Sequence, residues 1–171
     1  SPSRIVAITF TRHAAGNMKA KLPASADGVN ISTLHAFCLR LIMEMGQEIG
    51  YESSWLSVVS DDDIMLDERE ILSDLGIIRK KPDGKWDWRK CRMKDWTAFR
   101  DGICNGSIQK PEEENPLLWK AWSALLSRLQ AQNVLTYGTI LYEAINLLKN
   151  RKALKMYRTK YHHFVMDECQ D

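Results

Sequence analysis

Residues 161–171, YHHFVMDECQD, place two adjacent carboxylates, Asp167 and Glu168, directly after a short apolar run, with Gln170 two positions further on. A short apolar, β-rich run reads as a buried strand, and a strand of a parallel sheet delivers its last residues to the carboxyl edge, where α/β proteins bind ligands. At that edge one carboxylate can hold a hydrated Mg²⁺ while its neighbour orients or deprotonates a water. Two solvated acids at a strand end would look the same, and this segment alone leaves both readings standing. His162 and His163 read as strand-entry residues and not as ligands. The four cysteines (Cys38, Cys91, Cys104, Cys169) are scattered, and none of the four histidines stands at zinc-ligand spacing from one.

The elements that would position such a pair are legible upstream. Residues 4–10 (RIVAITF), 29–33 (VNIST) and 163–168 (HFVMDE) each read as a short buried strand. A helical pattern follows the first, with Ala14, Ala15, Met18 and Leu22 on one face. Another follows the second, with Phe37, Leu41, Met45 and Ile49 on one face and Gly50 as its stop. Strand–helix–strand–helix with short links argues a parallel sheet with right-handed crossovers.

The style then changes. Residues 51–135 show helical pieces, turns and charge blocks, and no run there reads as a strand. DDDIMLDEREILSDLGI is a capped amphipathic helix, with Asp61–Asp63 near its start and Ile64, Leu66, Ile71, Leu72 and Leu75 as its apolar contacts. Pro82–Gly84 marks a turn, and KPEEENP a loop or solvated helix start. LLWKAWSALLSRLQAQN is a further helix ending near Asn133, and TILYEAINLLKN one more before the last strand. The expected organisation is an α/β unit, residues 1–50 and 136–171, interrupted by a mostly helical insertion, residues 51–135.

Three segments occur in the order AITFTRHAAGNMKAKL, ISTLHAFCLRLI, FVMDECQD. Together they resemble three consecutive motifs of the UvrD/Rep-like superfamily 1 DNA helicases: motif Ia (T-F-T-N-x-A-A-x-x-M), motif Ib (S-T-F-H-S-F-C) and motif II, the Walker B element (D-E-x-Q-D). The resemblance is motif-specific over these segments and architectural elsewhere. It implies a partial RecA-like (P-loop NTPase) parallel sheet, ATP and Mg²⁺ as cofactors, and single-stranded DNA and duplex junctions as partners. It further implies that Asp167 coordinates Mg²⁺ through water, Glu168 is the base or orienter for the attacking water, and Gln170 sits by the γ-phosphate. Thr9, Phe10, Thr11 and Arg12 would then lie along the DNA path, with Phe10 able to pack on a nucleotide, and Thr33 and His35 would contact DNA. On residue type alone, Phe10 also reads as core, Thr9 as strand and His35 as a helix-start residue. This chain departs from the pattern at Arg12 and His13, where the family has Asn-Lys, and at Leu34, where it usually has Phe. Gly138 and Thr139 replace part of the acidic segment that often follows the insertion.

The family's phosphate clamp, G-x-x-x-x-G-K-[ST], is not in these residues: the one Gly-Lys step, Gly84-Lys85, leads into Trp86 with no glycine at the right distance upstream. The chain is accordingly expected to be a fragment, with the remainder of the motor elsewhere and with negligible ATPase activity by itself. Residues 79–100 add a basic stretch with nine Lys/Arg against three Asp, interleaved with Trp86, Trp88, Trp96 and Phe99. Lys80, Lys81, Arg89 and Lys90 there are candidate DNA contacts. The alternative is that the rings form the insertion's small core and the cations cover it.

The remaining numbers bound the class. A formal net charge of +2 over 171 residues means that any nucleic-acid role rests on local patches. No apolar run approaches the roughly 18–20 residues needed to span a bilayer, and the cysteines read as reduced thiols in a cytoplasmic protein. The leading expectation is part of an ATP-dependent DNA helicase of repair, replication or recombination. The alternatives are a helicase–nuclease subunit of recombination repair and a non-catalytic nucleic-acid-binding module that keeps the fold.

Overall fold

The computed structural model describes residues 1–167. In chain order the elements are β1 (Ile5–Thr9), α1 (Arg12–Lys21), β2 (Asn30–Thr33), α2 (Leu34–Met45), β3 (Ser57–Val59), α3 (Met65–Asp74), β4 (Ile78–Lys80) and β5 (Trp86–Trp88). There follow α4 (Met93–Cys104), α5 (Pro111–Glu114), α6 (Pro116–Ala131), β6 (Val134–Thr136), α7 (Tyr137–Lys149), α8 (Arg151–Lys160) and β7 (His163–Met166). They form two compact units: residues 1–49 with the chain from Glu143 onward, and Gly50–Tyr142.

The first unit is a parallel three-stranded sheet in the order β2-β1-β7. β1 is central and is buried from Val6 to Thr9. Val6 and Ile8 project to one face, because alternate strand residues do, and meet Phe37 and Leu41 of α2, Leu147 of α7, Ala153 and Tyr157 of α8, and Tyr161. The Tyr157 hydroxyl donates to the Leu41 carbonyl at 2.9 Å, which satisfies a buried polar atom and ties α8 to α2. α2 ends earlier than expected, at Met45, and a 3-10 turn over Gly46–Ile49 follows it; Gly50, at φ +88, takes the left-handed conformation just after that turn.

Two expectations for this unit change. β7 reads as a buried strand from its composition, yet Phe164, Val165 and Met166 are 60%, 52% and 55% exposed. Among the described residues β7 pairs on one side only, with β1, so its residues behave as those of a sheet edge. Residues 151–160 carry no element in the sequence reading but form α8. Its residues do follow a helical period, with Ala153 and Tyr157 on the buried side, but few of them are apolar and cations predominate. The Asn150 side chain, which accepts from the Lys152 and Ala153 amides, is the local signal for its start.

In the second unit, α3, α4 and α6 enclose a core that includes Leu72, Trp96, Trp122, Leu125 and Leu129, each at most 1% exposed. Trp122 meets Tyr142 edge to face, with centroids 5.4 Å apart. Four strands occur where none was expected: β3 pairs with β6 in parallel, and β4 pairs with β5 as a hairpin. Each has three residues, too few for a period of two to register. Leu66 is 70% exposed and makes no core contact. The neighbouring buried position on α3 is Glu68, whose carboxylate accepts from Arg100 at 2.7 Å. Arg100 also reaches Asp61 and Asp101, so Asp61 serves an ion-pair cluster and not the α3 dipole. Asn133 closes α6 at φ +54, and its amide exchanges two hydrogen bonds with the Glu52 backbone at 2.7 and 2.8 Å. Residues 136–142, expected with the first unit, belong to this one, where β6 leads directly into α7. The reciprocal bonds of Thr136 and Thr139 cap α7, with the Thr136 amide donating to Thr139 Oγ1 at 2.7 Å.

These packings set magnitudes. Trp122→Ala should lower stability by about 3–5 kcal/mol, because the cavity is enclosed by helices and cannot collapse. Tyr157→Phe, which removes one buried hydrogen bond and no volume, should cost about 1 kcal/mol. Urea unfolding followed by circular dichroism checks both.

Candidate functional site

Parallel register decides what meets at the carboxyl edge of the sheet. Thr9 of β1 pairs with Thr33 of β2, and Ile8 pairs with Met166 of β7. The Asp167 amide donates to the Ile8 carbonyl at 2.9 Å, extending the ladder by one residue. Thr33, Thr9 and Asp167 therefore stand in one row across three adjacent strands. Strands lie about 4.8 Å apart, so the row spans about 10 Å from end to end. The Asp167 side chain is exposed there.

The turn between β1 and α1 is built by its threonines. Thr9 is 2% exposed and its hydroxyl donates to the Thr11 carbonyl at 3.1 Å. Thr9 thus shapes the turn from within and does not present its side chain outward as a DNA contact would. Thr11 is exposed and caps α1, its Oγ1 accepting from the Ala14 amide at 3.0 Å. Between them Phe10 is 71% exposed, which removes the reading of Phe10 as core. Arg12 follows, also exposed. Its neighbour His13 is engaged within the helix by Asn17, at 3.0 Å.

The next strand–helix junction repeats the design. Thr33 caps α2 by accepting from the Ala36 amide at 3.3 Å. Leu34 is 39% exposed. His35 is half-buried, and that burial lowers its pKa below the ordinary imidazole value. Neither α1 nor α2 has an acidic residue in its first turn. Two neighbouring helix N-termini, with their amides and positive dipole ends uncompensated by local carboxylates, favour anions such as phosphate. Arg40, which sequence reasoning passed over, braces this corner by donating to Asn30 and Ser32 on β2, each at 3.4 Å, while its guanidinium lies over the Phe37 ring.

The basic stretch of the second unit separates into two populations. Cross-strand pairing puts Ile78 beside Trp88 and Lys80 beside Trp86 on one face of the β4–β5 hairpin. That face packs on the core, with Trp86 and Trp88 as its partly buried wall and Trp96 and Phe99 fully inside. Lys80 lies over the Trp86 ring at 5.8 Å, an amphipathic cover on a wall residue. The rings are accordingly core and not free stacking platforms. Lys80, Lys81, Arg89 and Lys90 are all exposed, and Arg89 is paired with Asp87 at 3.5 Å.

Glu168 and Gln170, expected to complete the carboxylate site, lie outside the described residues, as does Cys169. Asp167 is thus the one carboxylate of the expected pair whose place is defined, and among the described residues no group of three His, Cys, Asp or Glu side chains could hold a metal ion. Cys38 is buried and its thiol is pushed up to about 11 by that burial, which marks it as a packing residue. No helix among the described residues is long and apolar enough to cross a membrane.

A parallel sheet of this order, with capped helices rising from its carboxyl edge beside a strand-end aspartate, is a partial RecA-like α/β domain. The family model described as the UvrD/REP helicase N-terminal domain matches residues 1–171, and the chain belongs to that family. A probable DNA helicase II homolog of Mycoplasma pneumoniae is 30% identical over 190 residues, covering 100% of this chain and 25% of the relative. A probable DNA helicase II homolog of Rickettsia felis is 27% identical, with 100% and 27% covered. The ATP-dependent DNA helicase PcrA of Staphylococcus epidermidis is 25% identical, with 100% and 24% covered. The chain thus spans about a quarter of the length of the curated relatives it matches.

His35 supplies a pH test. A base whose pKa is lowered by folding stabilises the fold above its unfolded value of about 6.5, and that contribution is lost as pH falls through the lower folded value. Acidification from about pH 7 to 5 should therefore lower the melting temperature more in the native chain than in His35→Gln. Scanning calorimetry across that range checks it.

Proposed function

We propose that the protein to which this chain belongs is an ATP-driven motor that moves along single-stranded DNA and opens duplexes. In this reading the chain supplies one wall of the ATP site and part of the DNA track. The observation that carries it is the Thr33–Thr9–Asp167 row. A carboxylate suited to a hydrated Mg²⁺ and two anion-favouring helix N-termini share one sheet edge, and a shift of β7 against β1 would be felt at both.

Within this reading Asp167 holds Mg²⁺ through its water shell, and the ion supplies charge neutralisation on the nucleotide phosphates. Glu168 orients or deprotonates the attacking water, and Gln170 senses the γ-phosphate. Phe10 packs on a base, Thr11 and Thr33 place backbone amides against phosphates, and Arg12 and His35 add polar contacts. Thr9 acts through the turn it holds. Lys80, Lys81, Arg89 and Lys90 form a cationic surface for duplex phosphates ahead of the junction, through charge and without stacking. With no G-x-x-x-x-G-K-[ST] among its 171 residues, the chain by itself lacks the phosphate cradle and should not turn over ATP.

Phe10→Ala should weaken binding of an oligothymidylate by about 5- to 150-fold, the range of one stacked base, with an unchanged circular dichroism spectrum. Fluorescence anisotropy reads it, and unaltered affinity removes Phe10 from the track. Asp167→Asn in the full-length protein should abolish DNA-stimulated ATP hydrolysis while leaving nucleotide-free DNA binding intact. Robust turnover by the 171-residue chain, lost on Glu168→Gln, would overturn the assignment of the phosphate clamp to other residues.

A further inference from the structure

The first unit carries a second charged surface that none of these motifs uses. From Lys149 to Lys160 the sequence KNRKALKMYRTK holds six cations and no acid. The whole chain has 24 Lys/Arg against 22 Asp/Glu, so without this run its formal charge is negative. Five of these six cations lie on one helix, α8, a second basic block in addition to that of residues 79–100.

That helix sorts its cations. Ala153 and Tyr157 are buried against the sheet core. Lys152 and Lys160, at the flanks, are paired with Glu48 and Glu44. Arg151, Lys155 and Arg158 stand at i, i+4 and i+7, one stripe along the side opposite Ala153 and Tyr157. All three are exposed, and among the described residues none of them forms an ion pair. At 1.5 Å per residue the stripe extends about 10 Å.

We propose that this stripe is a second binding surface for the phosphodiester backbone of nucleic acid, separate from the carboxyl-edge track. The choice of ligand rests on the DNA-motor reading above, together with the chemistry of the stripe. Two guanidiniums and an ammonium in line suit a row of phosphates. No exposed apolar side chain lies among them to enter a bilayer or to seat a hydrophobic partner helix. Because the contacts are to backbone phosphate, single strands and duplex bind alike, without sequence preference, and strongly according to salt.

The test uses the full chain with fluorescein-labelled oligothymidylate and, separately, a random-sequence duplex, with affinity measured against salt. The combined variant Arg151→Gln, Lys155→Gln, Arg158→Gln should flatten the slope of log K against log salt by about 2 for the single strand and nearly 3 for the duplex. The charge-conserving variant Arg151→Lys, Arg158→Lys should keep the native slope, which separates loss of charge from loss of fold. In the unmutated protein, bound oligonucleotide should protect Lys155 from acetylation. Native slopes in the glutamine variant, or Lys155 acetylated equally with and without DNA, overturn this surface while leaving the carboxyl-edge track in place. Loss of binding to polyglutamate or to anionic vesicles, with DNA binding untouched, overturns it in favour of another polyanion. Absence of DNA binding by the native chain overturns both.

Discussion

The central strand is the constraint on which the rest of the first unit depends. β1 is hydrogen-bonded on both sides and buried on both faces, so its register with β2 and β7 is specified along its whole length. A slip of one residue would turn Val6 and Ile8 out of the core and bring the buried Thr9 hydroxyl out of its turn. The same register brings Asp167 into line with Thr9 and Thr33. Packing and site geometry are thus one requirement: the apolar alternation that buries the strand also sets the row at its end.

The two helix caps follow from that row. Each strand ends in a residue that turns the chain into a helix, and in both cases a threonine hydroxyl takes one of the unsatisfied first-turn amides. The remaining amides face the edge with no acid in the first turn of either helix. Anion affinity at this edge is therefore a by-product of building a helix immediately after a parallel strand. Phe10 is the exception to economy in the turn, since an aromatic ring held 71% exposed gains nothing from the fold.

The second unit shows where local chemistry misleads. The tryptophans and cations of residues 79–100 look interleaved in one dimension, and an open platform of rings among charges was a reasonable expectation. Antiparallel pairing sorts them: Trp86 and Trp88 fall on the face that shares Ile78, against the core, while most of the cations stay at the surface. Arg100, the last cation of the stretch, goes the other way and is drawn inside by Glu68. A charge count over the segment could not distinguish these fates, because burial of Arg100 depends on an acid thirty-two positions away.

Order-specific motifs and strand–helix alternation were enough to assign the parallel α/β class, the strands β1, β2 and β7, the helices α1 and α2, and the place of Asp167 at the carboxyl edge of the sheet, whereas the register that sets it in one row with Thr9 and Thr33 came only with the structure. These are local properties: apolar runs, caps and turns act within a few residues. The three-residue strands, α8, the exposure of β7 and the burial of Glu68 were decided only in three dimensions. Each depends on a partner remote in sequence: β3 on β6, β7 on the single neighbour β1, Glu68 on Arg100, and α8 on the α2 carbonyl that Tyr157 reaches. Sequence period reports what one element would bury. Only tertiary structure determines what it is buried against, and hence which charges remain free to meet a ligand.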